Sequence, residues 1–385
     1  MLYLENATLL TDARAIPNGA ILIEDRKILA AGPAVGLPAP SSAHRVDTKG
    51  AYIAPGFFDL QLNGGFGLDF TADPTTIWAV AAQLPQYGVT AFLPTIITNP
   101  LERFAEAIEV LRAGPPSGFR GAIPLGFHFE GPFLNPEKKG AHNPELIRPP
   151  APELVTSWTS ENHVFLVTLA PERPGALETI RALRAQGVVV SAGHSMATVA
   201  EGVAGIEAGI TMGTHLFNAM RPFDHREPGL IGALSGTPGI LPAPFVGLIP
   251  DGVHVHPTGV AMAWKIFGWQ RTVMVTDAMA AMGMPDGDYV LGGQTVKVKG
   301  PVPRLANGTL AGSVLTMDAG VRNLIAFTGC SPAEAVYAAS RTPARAMGFP
   351  DRGRLAHGAV ADLVFLDQNL QVTKVFQAGE IIFET

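Results

Sequence analysis

The sequence predicts an α/β chain built on a (β/α)8 barrel, with a small β-sandwich domain assembled from both chain termini. Three observations carry this. Eight short apolar stretches alternate with helix start and stop signals between about residues 54 and 349, the pattern of a parallel barrel. Both ends read as strands with turn residues between them and no helical period. Hydrophobic residues make up 47% and charged residues only 16%, with 43 glycines and 33 prolines, which suits a deeply buried sheet with many turns.

At the N-terminal end, Leu2 to Leu4, Ala20 to Glu24 and Lys27 to Ala31 read as strands. So do Asp362 to Leu366, Thr373 to Ala378 and Glu380 to Phe383 at the other end. Neither set can bury a core alone, so residues 1–53 and 350–385 are expected to pair into one small domain flanking a barrel over 54–349.

Within the barrel, Asp59 to Leu62 is the first strand, and Asp73-Pro74 supplies an N-cap and first-turn proline for a helix to about Tyr87. Val89 to Ile97 is the second strand, with Asn99-Pro100 opening the next helix in the same way. Ile123 to Glu130 is the third, whose alternating Ile123, Leu125, Phe127 and Phe129 suggest a half-buried face. Val164 to Leu169 is the fourth, followed by a helix from Gly175 with Leu177, Ile180 and Leu183 on one side and Gly187 as its stop. Val188 to Ser191, Ile210 to His215, Pro244 to Ile249 and Thr272 to Asp277 complete the eight. Ser195 is read as the cap of a helix carrying Val199, Val203 and Ile206, and Ser331 to Glu334 as a capping box for a helix to about Met347. The glycine-rich alternation near 287–310 predicts a β-hairpin inserted after the last strand.

Composition excludes several functions. With 27 basic against 33 acidic residues the net charge is -6, and no basic run suggests nucleic acid. Cys330 is the sole cysteine, so no disulfide framework or thiolate metal site is expected. The first residues lack a signal-peptide pattern and no apolar run reaches a membrane span, so the cytoplasm is the expected compartment.

Reactive groups of such barrels sit at the C-terminal ends of strands. Glu130, His194, His215 and Asp277 all fall there. One carboxylate and two imidazoles suit zinc, iron, manganese or cobalt with positions left open for water and substrate. Asp277 reads as a general base, with a fourth ligand or a helix cap as alternatives. His254 could polarise a carbonyl or be an ordinary loop histidine, and His256 reads as structural. Asn218-Ala219 lies in a turn that exposes backbone N–H groups, while Arg226 in MRPFDHREPG offers a fork for phosphate or is a solvated loop cation. Lys138 and Lys139 could add positive charge near an anion.

These segments together resemble a known family. IAPGFFDLQLNGG, GFHFEGPFLNPEKKGAHNP, SAGHSMAT, THLFNAMRPFDHREPG, IPDGVHV, MVTDAMAAMG and GTLAGSVLTM are similar to the ordered motifs of N-acetylglucosamine-6-phosphate deacetylases of the amidohydrolase superfamily. The resemblance implies one divalent metal per subunit, zinc foremost, on Glu130, His194 and His215, with Asp277 as acid and base and His254 on the acetyl carbonyl. It implies Ala141, His142, Leu310, Ala311 and Gly312 near the sugar, Asn218 and Ala219 near the phosphate, and Asp251 among the substrate contacts. It implies a homodimer in which Arg226 reaches the neighbouring subunit's substrate. One departure stands out: where most amidohydrolases carry His-x-His after the first strand, this chain has Gln61-Leu62-Asn63. Amides are poor ligands beside imidazoles, so a single tightly bound metal is expected. Other readings of the same residues are an amidohydrolase acting on a different N-acyl or cyclic amide, and a non-catalytic sugar-phosphate-binding homologue.

Overall fold

The computed structural model describes residues 1–236 and 243–385. The eight parallel strands are present as Phe57–Leu62, Val89–Ile97, Phe127–Glu130, Val164–Leu169, Val189–Ala192, Ile210–Gly213, Phe245–Leu248 and Thr272–Met274, each paired with its sequence neighbour. The ring is drawn together between its last and first members just beyond the eighth strand. There the Asp277 N–H donates to the Gln61 carbonyl and the Asn63 N–H to the Ala278 carbonyl, both at 2.8 Å.

All nine residues of Val89–Ile97 and all four of Phe127–Glu130 are buried. This corrects the half-buried reading of the third strand. Its alternation separates two buried faces: Phe129 packs outward against Phe104 and Trp158 with Phe127 stacked beside it, while His128 and Glu130 point into the barrel. The strand is also interrupted, since Ile123–Pro124 pairs separately with the second strand.

Chain ends meet in an eight-stranded mixed sheet. Tyr52–Pro55 lies between Leu2–Thr11, to which it runs parallel, and Leu363–Leu366, to which it runs antiparallel. A separate apolar core including Leu4, Leu9, Ile21, Ile53, Leu363 and Phe376 stabilises this sheet.

Several local expectations are corrected. Asp73 does cap, accepting from the Thr75 N–H, but of a 3-10 turn at Pro74–Thr76; helix follows only over Ile77–Ala81 before a second 3-10 turn at Leu84–Tyr87. Asn99 does not cap the helix Leu101–Ala113, because its amide bonds the Thr71 carbonyl instead. The helix Val199–Ala208 is capped by Thr198 in a box with Glu201, and its innermost residues are Gly202, Gly205 and Ala208. Small residues win there because a Cβ on Gly202 would meet Ala233 at 2.7 Å. The Ser331 capping box is present, but the helix it opens breaks at Ser340 into Pro332–Ala339 and Arg341–Ala346. The insertion after the last barrel strand is a three-stranded meander, Gly287–Leu291, Gln294–Lys299 and Val302–Arg304, one strand more than a hairpin.

Candidate active site

Glu130, His194 and His215 converge at the C-terminal end of the barrel. Their ligating atoms all lie within 4.8 Å of one another and all three are buried. Glu130 Oε1 is 3.1 Å from His194 Nε2 and 3.0 Å from His215 Nε2, and the two imidazole nitrogens are 3.0 Å apart. Nitrogens aimed at one another across a carboxylate oxygen suit a shared cation, which would take a lone pair from each. The hydrogen bond between His194 Nδ1 and the Lys138 carbonyl, at 2.8 Å, puts that ring's proton on Nδ1 and frees Nε2. This donor set therefore fits a divalent transition metal.

Burial pushes the Glu130 carboxyl up, but its close pairing with the His194 and His215 rings outweighs this and holds it well below its usual range. A permanently ionised carboxylate is what a cation site requires.

Asp277 lies beside this group. Gln61 Nε2, at 3.2 Å, and Asn63 Nδ2, at 2.7 Å, both donate to its Oδ1. Burial, assisted by the negative charge of Glu130, raises its pKa to about 6. The Gln61 amide also donates to Glu130 Oε1 at 3.2 Å. Gln61 and Asn63, weighed in the sequence only as missing ligands, are thus hydrogen-bond donors that aim the carboxylates.

His254 faces the same cavity, and its Nδ1 is 2.7 Å from Asp251 Oδ2. Asp251 is not on the cavity wall: its other oxygen accepts the N–H groups of Val253 and His254 at 2.8 Å. It therefore stands behind His254 rather than among the substrate contacts. Ala311 is likewise fully buried behind the wall, while Ala141, His142, Leu310, Gly312, Asn218 and Ala219 line it. Lys138 lines it as well, and so does Glu137, which sequence reasoning passed over. His142 bonds Thr98 Oγ1 at 2.8 Å and presents its ring to the His194 imidazole with centroids 4.5 Å apart; burial keeps it neutral by lowering its pKa well below the usual value. The cavity measures about 320 Å³. Arg226 is exposed on its loop and does not line the cavity of its own chain. His256 caps the helix Pro257–Arg271, accepting from the Thr258 N–H.

Non-glycine residues in left-handed backbone gather here: His194 (φ 49°), His215 (φ 30°), Ala219 (φ 50°) and Asp277 (φ 50°). Such conformations cost on the order of 1 kcal/mol or more each and persist where surrounding contacts impose them. Hydrogen bonds to the flanking backbone do so: Leu216 N–H to the Gly247 carbonyl at 2.7 Å, and Ser313 N–H to the Asp277 carbonyl at 2.7 Å.

Asp59 went unnoticed in the sequence. Its carboxylate accepts the N–H groups of Gln61 and Thr276 at 3.2 Å and the Thr276 hydroxyl, tying the first strand to the segment that carries Asp277. Its place two residues before Gln61 on one strand was the available signal, since alternate residues share a face.

Residues 52–382 match the model of the amidohydrolase family. The chain belongs to that family. Within it, the chain is 40% identical over 353 residues to the N-acetylglucosamine-6-phosphate deacetylase of Danio rerio, covering 88% of this chain and 86% of the relative. It is 38% identical over 351 residues to an N-acetylgalactosamine-6-phosphate deacetylase of Escherichia coli O157:H7, covering 89% and 90%. Its fold is similar to that of a mutant N-acetyl-D-glucosamine-6-phosphate deacetylase from Mycobacterium smegmatis in complex with N-acetyl-D-glucosamine-6-phosphate, with a TM-score of 0.89, 38% identity and coverage of 100% and 99% of the two chains. Among the described residues no helix is long and apolar enough to cross a membrane.

Proposed function

We propose that this amidohydrolase removes the acetyl group of N-acetyl-D-glucosamine 6-phosphate, releasing D-glucosamine 6-phosphate and acetate. The observation that carries the reading is one cavity holding a three-residue cation site, a carboxyl with a raised pKa and a carboxylate-backed histidine. Binding a sugar phosphate alone needs none of these. The deacetylases at 40% and 38% identity supply the substrate class.

Glu130, His194 and His215 would hold one divalent cation, with zinc assigned first and iron, manganese or cobalt as alternatives. Such a cation lowers the pKa of water and polarises an acyl oxygen. Asp277 takes the proton of the attacking water on the oxygen turned away from Gln61 and Asn63. It then returns that proton to the departing nitrogen, so the carboxyl ends in its starting state. His254, held through Nδ1 by Asp251, turns Nε2 to the acyl oxygen. Ala141, His142, Leu310 and Gly312 contact the sugar in this reading. Backbone N–H groups at Asn218-Ala219 and Arg226 of a second subunit take the phosphate, which makes the working unit a homodimer. The division into 1–53 plus 350–385 and 54–349 is proposed on the same basis, the second part carrying every one of these residues.

The test is acetate release from N-acetylglucosamine 6-phosphate, its unphosphorylated form and N-acetylgalactosamine 6-phosphate, using metal-stripped protein before and after zinc. Zinc-dependent release favouring the phosphorylated gluco sugar is expected. Faster release from the galacto epimer would move the substrate to that of the 38% relative, and release from none would overturn the deacetylase reading.

A further inference from the structure

We infer that Leu291 of the inserted meander and Ile97 of the second barrel strand form the subsite for the methyl of the acyl group, and so set which acyl length is hydrolysed. This rests on the deacetylase reading given above.

A planar acyl carbon has three substituents. The oxygen goes to His254, after the seventh strand, and the nitrogen to Asp277, after the eighth. The sugar borne by that nitrogen then meets Leu310 and Gly312, whose segment the backbone already joins to Asp277 through the Ser313 N–H and a bridge between Ala278 and Ser313. The remaining substituent must face a wall without polar atoms that need satisfying. In a ring of eight strands the second lies across from the sixth and seventh. Ile97 stands there, in register with Glu130 and two residues beyond Thr95, which bonds His128 inside the barrel. Its side chain thus shares the inward-facing layer of Glu130.

Leu291 completes the wall from above. Ile97, Ala141 and Leu291 all line the cavity and all belong to one apolar cluster that runs back to Val296 in the meander and to Leu305 just after it. Ile97 is 4% exposed and Leu291 3%, so the cavity touches only the front of a packed surface.

That front is fixed by the turn that follows Leu291. The Gly292 N–H donates to Asp69 Oδ2 at 2.7 Å, and the Gln294 amide donates to the Ala141 carbonyl. Gly292 sits at φ 55°, and a Cβ there would lie 2.5 Å from Ile97 Cδ1, so the turn presses directly on Ile97. A wall clamped by contacts spanning more than 150 residues of sequence cannot retreat for a longer chain. Packed interiors resist even one added methylene, and a pocket discriminates one by about tenfold or more.

The experiment compares kcat/KM for N-acetyl-, N-propionyl- and N-butyryl-glucosamine 6-phosphate in zinc-loaded wild type, Leu291→Ala, Leu291→Val and Ile97→Val. The Val variants remove little volume and keep the fold if the Ala variant loosens it. The propionyl-to-acetyl ratio is expected to rise about tenfold in Leu291→Ala and by a smaller factor in both Val variants. It should stay at the wild-type value in Val290→Ala, whose side chain is 41% exposed one residue away. An unchanged ratio in folded Leu291 and Ile97 variants, or a change confined to KM and equal for all acyl lengths, would overturn the inference and place the wall against the sugar. No acetate from the wild type would instead remove the deacetylase reading, and this inference with it.

Discussion

Replacing Asp277 by Asn separates proton transfer from every other task of the site. Two donors, Gln61 Nε2 and Asn63 Nδ2, converge on Asp277 Oδ1. An asparagine there satisfies both only by placing its own oxygen at that position, which turns its NH2 toward the cavity. The variant keeps the shape and presents a donor where the wild type presents an acceptor. General acid–base catalysis contributes about 10²- to 10⁴-fold, so kcat should fall by that factor, equivalent to about 3 to 5 kcal/mol. Folding should survive, because the change removes a buried charge that Glu130 already disfavours. The cation should remain, since Glu130, His194 and His215 are untouched. The assay is acetate release at saturating N-acetylglucosamine 6-phosphate, with metal content and thermal midpoint measured on the same preparation. A kcat within threefold of wild type would remove Asp277 from the mechanism. Loss of the metal along with the activity would make it a ligand instead.

Other outcomes follow from the same geometry. Arg226→Ala should raise KM for the phosphorylated sugar by about 10- to 100-fold, the worth of one charge-assisted contact, and leave the unphosphorylated sugar unaffected; an unchanged KM would refute the phosphate role. Chelation should lower acetate release by on the order of a hundredfold or more, and one equivalent of zinc should restore it. A requirement for two equivalents would refute the reading of Gln61 and Asn63 as donors rather than ligands. Burial raises the Asp59 carboxyl from its ordinary value of 3.8 to about 7. The folded chain therefore holds a proton that the unfolded chain releases from about pH 4 upward, and this contribution to stability is lost as pH rises through about 7. Asp59→Asn lacks the titration and can still pair with Thr276. Denaturant unfolding should show its stability gaining on wild type by up to about 4 kcal/mol between pH 4 and pH 8. A gap independent of pH would refute this.

Much of the fold was legible because a strand covered on both faces leaves a mark no partner is needed to write: a largely apolar run such as Val89 to Ile97. Alternation was a poorer guide. In Phe127 to Glu130 it was read as one wet face, yet the polar residues point into a barrel interior that only the closed ring creates. Caps were equally ambiguous, since Asn99 and Asp73 carry the same chemistry and a neighbouring carbonyl, of Thr71, took the first away.

The sequence by itself determined the eight-strand barrel, the strand-rich ends and the identity of the groups able to hold a cation, because residue type and position along a strand decide which chemistry reaches the rim. Only the tertiary structure decided how those groups meet. Whether Gln61 and Asn63 are ligands or donors and whether Ile97 and Leu291 share a wall depend on contacts between segments up to 216 residues apart. Side-chain direction at such distances is set by closing the barrel and packing the insertion over it, and no local pattern in the chain encodes it.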